Sequence, residues 1–282
     1  MSSRPSSATR ASTRARSWLY TPGTVPERFG NAAKSGADVL ILDNEDGVAP
    51  ALKATARTNV TKFLSSQAIS RALAVRINPL SSRTGLDDIA MLLAAVDTPQ
   101  FVVIPKVESP EQVIQVSSLL TEARKDCALI PMIESRRGIA AAESVARADH
   151  RVTGLMFGAA DYASSVRAQP GSLALQSARA QMAGACADAD VLAIDAPCFA
   201  LRDADLLRAE LSFAFANGFE GKSAVHPSHI KAINETFTPS PERLDWAQRL
   251  VAVMDQGVGT IDGRMVDEAI AREARRVLAR AT

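Results

Sequence analysis

From Ser17 onward the chain repeats one unit: a short apolar run that ends in a polar or charged residue, then a helix-length amphipathic stretch. The runs are SWLY (17–20), ADVLILD (37–43), LAVRIN (73–78), FVVIPKV (101–107), ALIPMIE (128–134), TGLMF (153–157), VLAID (191–195) and KSAV (222–225), eight in all. Most of the stronger runs are continuously apolar rather than alternating, as strands covered on both faces must be. Eight alternating strand–helix units joined by right-handed crossovers close into a parallel barrel. The expected fold class is therefore α/β, a (β/α)8 TIM barrel. The competing open, doubly wound sheet is disfavoured because no run is followed by GxGxxG or GxxxxGK[ST].

Helix start signals lie between the runs. Pro26 opens 26–35, Ser109-Pro110 opens 110–125, Ser135 precedes a helix near Gly138–Arg147, and Asp203 or its neighbour caps 203–217. Past Pro239 the rhythm changes: two helices, about 241–256 and 265–280, are joined by GVGTIDGRM with no further strand. The domain reading is a disordered tail over 1–16, a barrel over 17–239 and a C-terminal two-helix appendage over 240–282 that serves as a helical lid. The tail, MSSRPSSATRASTRAR, has no acid and little to bury. It lacks the apolar centre of a secretory signal, while its composition also fits an organelle transit peptide.

Composition narrows the function classes. A length of 282 residues at 47% hydrophobic suffices for one barrel-sized core. Net charge is +1, and no basic run extends past the first residues, which argues against nucleic acid as a partner. The three cysteines, Cys127, Cys186 and Cys198, form no CxxC pair and fit buried thiols in a reducing compartment, so the expected location is cytoplasmic. No apolar stretch reaches membrane-spanning length.

Chemistry in a parallel barrel sits at the carboxyl ends of the strands. Those ends carry Asp43, Glu45, Asp46, Arg76, Asn78, Lys106, Glu108, Glu134, Asp161, Asp195 and His226. Glu134 and Asp161 follow the last apolar residues of consecutive units, and two such carboxylates can converge on one hard cation such as Mg²⁺, leaving coordination positions for substrate. Each can equally be a helix-cap acid. Arg76 suits bidentate grip on a substrate carboxylate or a buried ion pair with Asp43 or Glu45. Lys106 can form a Schiff base with a keto substrate if its pKa is depressed, or pair with a neighbouring acid; Lys222 has the same two options. Three acids in the turn 43–46 call for a cation, an arginine or backbone amides to offset them. His226 reads as a polar rim residue with a structural hydrogen bond, and no GxSxG elbow exists.

Several stretches together resemble the citrate lyase β-subunit-like group of the HpcH/HpaI aldolase family, which includes malyl-CoA and citramalyl-CoA lyases. They are RSWLYTPG, GADVLILDNEDGV, VRINP, IPKVESPEQV, PMIESRRGI, LMFGAADY, AIDAP, NGFEGKSAVHPSHI, NETFTPSPE and DGRMVDEA, spanning Arg16 to about Ala269. The resemblance implies a (β/α)8 barrel with Mg²⁺ held by Glu134 and Asp161 as metal ligands, and Arg76 on the carboxylate of a keto or hydroxy acid. It implies that Glu45 and Asp46 support the metal waters, and that Asp267, in the appendage, matches an acid/base aspartate that closes over a neighbouring subunit's site. Lys106 is a further substrate-binding candidate. Partners implied are an acyl thioester of CoA or an acyl carrier protein, a keto acid, and further copies of the chain in a homotrimer or hexamer.

The implied reaction is cleavage of a β-hydroxy acyl thioester such as malyl-CoA, citramalyl-CoA or a citryl thioester to a keto acid and an acyl thioester, or the reverse Claisen condensation. Rivals are a Schiff-base aldolase through Lys106, a malyl-CoA thioesterase or malate-synthase-like enzyme, and a β subunit acting only within a citrate-lyase-like complex. Arg16, Lys53 and Arg57 are candidates by position to meet CoA phosphates, or else ordinary solvated surface. Three departures from relatives stand out: Asn44 replaces the apolar residue of DLED, Ala160 stands where glutamate is frequent, and no proline follows Asp267. The first two argue against citrate itself as substrate.

Overall fold

The computed structural model describes residues 15–66, 71–254, 259–261 and 264–281. Eight strands pair in parallel and in sequence order into a closed barrel: β1 (Ser17–Pro22), β2 (Val39–Asp43), β3 (Ala72–Arg76), β4 (Phe101–Ile104), β5 (Ala128–Ile133), β6 (Gly154–Phe157), β7 (Leu192–Asp195) and β8 (Gly221–Ala224). β8 closes on β1 through Ser17↔Lys222 and Trp18↔Ser223. Helices α1 (Glu27–Ala33), α2 (Lys53–Ser65), α3 (Arg83–Ala94), α4 (Pro110–Glu122), α5 (Arg136–Ala146), α6 (Ala159–Val166), α7 (Leu173–Ala189), α8 (Ala204–Ala216) and α9 (Ile230–Phe237) alternate with the strands, two of them between β6 and β7.

The period of two along a strand sorts side chains between the interior and the helix layer. Trp18, Val39, Ile41, Ala74, Phe101, Val103, Ile130, Met132, Met156, Leu192 and Ile194 form one buried cluster that fills the barrel. Residues of the other parity, such as Leu40, Leu42, Val102 and Leu155, are equally buried but outside that cluster. This double burial is why the runs read as continuously apolar.

Start signals act where expected. Ser135 Oγ accepts from Gly138 N–H at 3.0 Å and begins α5 at Arg136, two residues before the expected start. Asp203 Oδ1 accepts from Leu206 N–H at 2.9 Å ahead of α8. Gln112 Oε1 accepts from Ser109 N–H at 3.2 Å ahead of α4.

The described residues begin before the end of the expected tail. Ala15 is buried, and Arg16 makes an ion pair with Asp38 at 2.8 Å, tying down residues assigned to the tail. Residues 1–14 of that tail lie outside the described residues.

The chain divides into two compact units, Met1–Asn234 and Glu235–Thr282. In the second, α10 (Pro241–Met254) packs on α11 (Glu268–Ala281) through Ala247, Leu250, Ala271 and Ala274. The link expected to hold no strand contains an antiparallel pair, β9 (Gly259–Ile261) with β10 (Arg264–Val266). α11 starts three residues later than the expected position 265, because Asp267 Oδ1 accepts from Ile270 N–H at 3.0 Å and caps it.

Candidate active site

Strand parity carries acids and one arginine to the carboxyl mouth of the barrel. Asp43 continues the interior positions of β2 and Arg76 those of β3, and the two are register partners. Arg76 Nε and Nη2 each donate to an Asp43 oxygen at 2.7 Å, a bidentate fork. Asp43 also accepts from the Glu45 and Gly47 amides at 2.8 and 2.9 Å, which closes the acidic turn around it. Arg76 Nη1 stands 2.8 Å from Glu45 Oε2. The guanidinium lies 4.6 Å over the Tyr20 ring, whose phenol donates to Met156 Sδ at 3.1 Å. Asp43 and neighbouring charges hold the Arg76 pKa well above its ordinary value, overcoming the burial that would lower it. The buried ion pair left open for Arg76 is thus present.

Glu45 is 2% exposed. Both of its carboxylate oxygens are buried without a hydrogen bond, although Arg76 Nη1 and Lys106 Nζ lie at ion-pair distance. These contacts are close yet poorly directed, so they act as charge rather than as hydrogen bonds. Burial raises the Glu45 pKa, with exposed Asp46 adding repulsion against the pull of Arg76 and Lys106.

Glu134 continues the interior parity of β5 past Met132 and is 4% exposed. Its Oε1 accepts from the Lys106 N–H at 2.5 Å. Its other oxygen lies against Gly158, where a Cβ would collide with it and come within 2.6 Å of the Glu134 Cβ. Glycine at 158 is therefore what makes room for this carboxylate. Burial, followed by the charges of Glu45 and Asp161 against Lys106, pushes the Glu134 pKa up to about 8.

Asp161 comes from the first turn of α6, where the helix N-terminus favours an anion, and its side chain is 44% exposed. Lys106 joins these acids. Its Nζ lies 3.2 Å from Glu45 Oε1 and 3.6 Å from Asp161 Oδ1. Burial would lower its pKa, but Glu45, Glu134 and Asp161 outweigh that and raise it to about 12. The pairing with neighbouring acids left open for Lys106 is thus present, and it disfavours the neutral amine that a Schiff base needs. Lys106 also holds φ at 54°, in the left-handed region, a conformation that costs a non-glycine residue about 1–2 kcal/mol.

Glu134 and Asp161 suit a hard divalent cation. They are oxygen donors, they gather one ammonium between neighbouring acids, and among the described residues no third His, Cys, Asp or Glu completes a cage. Two protein carboxylates with the other positions left to water and substrate is the pattern of Mg²⁺ rather than of a structural metal.

Other expected residues are placed elsewhere. Asp195 follows Ile194 and Lys222 pairs with it in register, so both point out of the barrel into the helix layer. There Asp195 accepts from Arg179 at 2.9 and 2.7 Å and from Lys222 at 2.6 Å, and Lys222 reaches Glu210 at 3.0 Å. Lys222 is 1% exposed and is no rim nucleophile. His226 Nδ1 accepts from the Ser228 amide at 3.2 Å, the structural role expected for it.

The residues considered for CoA phosphates are committed to other contacts. Arg16 precedes β1 and pairs with Asp38, before β2, at the barrel end opposite the mouth. Lys53 Nζ donates to the Asn44 and Glu45 carbonyls at 2.8 and 2.7 Å, and Arg57 pairs with Asp88 at 3.2 Å. The three cysteines are free and buried. Asp267 is exposed and caps α11.

Sequence reasoning missed Tyr20 and Gly158. Tyr20 was hidden in an apolar run, although its parity with Trp18 places it inside the barrel; Gly158 could have been found by the same count from Met156.

The family model described as HpcH/HpaI aldolase/citrate lyase matches residues 16–227. A (3S)-malyl-CoA thioesterase of Cereibacter sphaeroides is 33% identical, over 94% of this chain and 94% of its own length. An L-malyl-CoA/β-methylmalyl-CoA lyase of the same species is 31% identical, over 93% of each chain. Among solved structures, protein CitE from Mycobacterium tuberculosis in complex with magnesium, acetoacetate and coenzyme A is 31% identical, with a TM-score of 0.78 over 95% of this chain and 99% of that one.

Proposed function

The chain belongs to the HpcH/HpaI aldolase/citrate lyase family, and on that premise we propose that it is a Mg²⁺-dependent carbon–carbon lyase acting on a β-hydroxy acyl-CoA, with Glu134 and Asp161 as the metal ligands. The observation that carries this reading is the pairing of a buried Glu134, fixed by the Lys106 amide, with Asp161 at the mouth of one closed barrel. The magnesium-, acetoacetate- and CoA-bound relative supports the cofactor and the thioester class.

Glu134 and Asp161 would hold the ion, which would supply a Lewis acid for the oxygens of the half that becomes the keto acid. Asp43 holds Arg76 in a fixed orientation, so that the guanidinium donors not engaged by Asp43 can grip the substrate carboxylate. Tyr20 supports the guanidinium from one face. Asp267 of a neighbouring copy takes the proton of the β-hydroxyl as the Cα–Cβ bond breaks, and the electron pair passes into the thioester enolate. Lys106, held cationic, offers positive charge to the developing enolate oxygen. Protonation of the enolate carbon completes an acyl-CoA and a keto acid. Glu45 and Asp46 would order the waters of the bound ion. The second unit serves as a lid over a neighbouring copy's site, and the chain works as a homo-oligomer in the cytoplasm. Among the described residues no helix is long and apolar enough to cross a membrane.

The thioesterase among the relatives supports a second reading, hydrolysis of the thioester. One assay separates them: purified protein with Mg²⁺ and malyl-, methylmalyl-, citramalyl- and citryl-CoA, following keto acid, acyl-CoA and free CoA. The lyase yields keto acid with acyl-CoA, is silenced by EDTA and survives borohydride. Free CoA without keto acid selects the thioesterase, and full activity in EDTA overturns the metal assignment.

A further inference from the structure

We propose that Lys106 tunes the cation site by competing with the divalent ion for the carboxylates that both address. This rests on the assignment of Mg²⁺ to Glu134 and Asp161. The Lys106 ammonium lies 3.6 Å from Asp161 Oδ1 and 3.2 Å from Glu45 Oε1, while its own amide donates to Glu134 Oε1 at 2.5 Å. One residue therefore touches both proposed ligands and the acid beside them. Its backbone there is left-handed, with φ at 54°.

The other cation at the mouth does not share that task equally. Arg76 has its Nε and Nη2 committed to Asp43, leaving only Nη1 near Glu45. Glu45 has both oxygens buried and without hydrogen bonds, so it depends on neighbouring positive charge. Arg76 is the nearer counter-charge for Glu45, while Lys106 is the cation that reaches Glu45 and Asp161 together and holds Glu134 through its amide. A divalent ion held by Glu134 and Asp161 would share the Asp161 carboxylate with that ammonium, and like charges drawn to one carboxylate repel in a half-buried site. The ammonium lowers metal affinity, keeps the ion exchangeable, and leaves less uncompensated negative charge facing an anionic substrate.

Substitution separates the two jobs of the residue, because every amino acid but proline keeps the amide to Glu134. Titration of MgCl2 into the full chain without substrate, followed by calorimetry, reads the effect directly. Lys106→Gln is expected to bind Mg²⁺ at least tenfold more tightly than wild type, and Lys106→Arg to bind within threefold of it. Lys106→Met repeats the measurement should the glutamine variant fail to fold, and circular dichroism confirms the fold of each. A folded Gln or Met variant with unchanged or weaker affinity overturns the proposal while leaving the metal site standing. Wild type that takes up no Mg²⁺ overturns the proposal and the metal assignment together.

Discussion

Two charged clusters at the ends of the strands look alike in sequence and do opposite things in the fold. At the mouth, Asp43, Glu45, Glu134 and Asp161 face Arg76 and Lys106, an acidic surplus with poorly directed partners around Glu45. In the wall, Asp195 and Glu210 face Arg179 and Lys222, a balanced set in which Asp195 accepts three short hydrogen bonds from the two cations. The Arg179 guanidinium is further packed at 4.2 Å over the Phe213 ring. The difference is one residue of strand parity: Glu134 continues inward-facing Met132, whereas Asp195 follows inward-facing Ile194 and turns out. Surplus charge at an open mouth is a resource for binding; balanced charge behind a wall is structure.

Substitutions can break that comparison, and the largest effect belongs to the mouth. Glu134→Gln should lower lyase turnover at least about 100-fold, since even supporting residues of metal sites are worth 10–100-fold. Its thermal midpoint in EDTA should hold or rise, because the charged form it removes is disfavoured by burial and by Glu45. An active variant, or one that melts much earlier, would merge the two clusters into one class.

Asp195→Asn is the mirror experiment. It leaves Lys222 and Arg179 buried with a net positive charge, a break that costs about 3–5 kcal/mol. For a domain of this size that lowers the melting midpoint by roughly 10 °C, read by differential scanning calorimetry. Calorimetric Mg²⁺ affinity of the folded fraction should match wild type; a large loss would place Asp195 in the site after all.

The smallest effect sharpens the boundary between function and mere burial. Asn44 adjoins the acidic turn, and its backbone is satisfied by Arg76, Asn78 and Lys53. Its side-chain nitrogen and oxygen are both buried without partners. Asn44→Leu, which restores the apolar residue, should stabilise by about 1 kcal/mol without changing turnover. A drop in activity at equal stability would make Asn44 part of the chemistry.

The barrel was legible because eight doubly covered strands leave eight apolar runs, a pattern that survives without any knowledge of partners. Glu134 and Asp161 were legible as strand-end acids in consecutive units, and Arg76 as a charge that an apolar strand must accommodate. The β9–β10 pair was not, since GTI and RMV are too short to announce themselves beside glycines. Lys222 took the acid-pairing option open to it, whereas Asp195 and Arg16 were misplaced for a common reason. A residue at a strand end can face the interior, the helix layer or the opposite barrel end, and apolar runs covered on both faces erase the alternation that would tell these apart.

What the chain determined by itself is the alternation of strand and helix, the caps that start the helices, and the supply of acids to the strand ends. Tertiary structure decided which of those acids meet. Closure of β8 on β1 and the register between neighbours fix parity around the whole ring, and only that global constraint turns Glu134 toward Gly158 while sending Asp195 to Arg179. Burial and the field of neighbouring charges, which no local stretch encodes, then push the pKa values of both Lys106 and Glu134 upward.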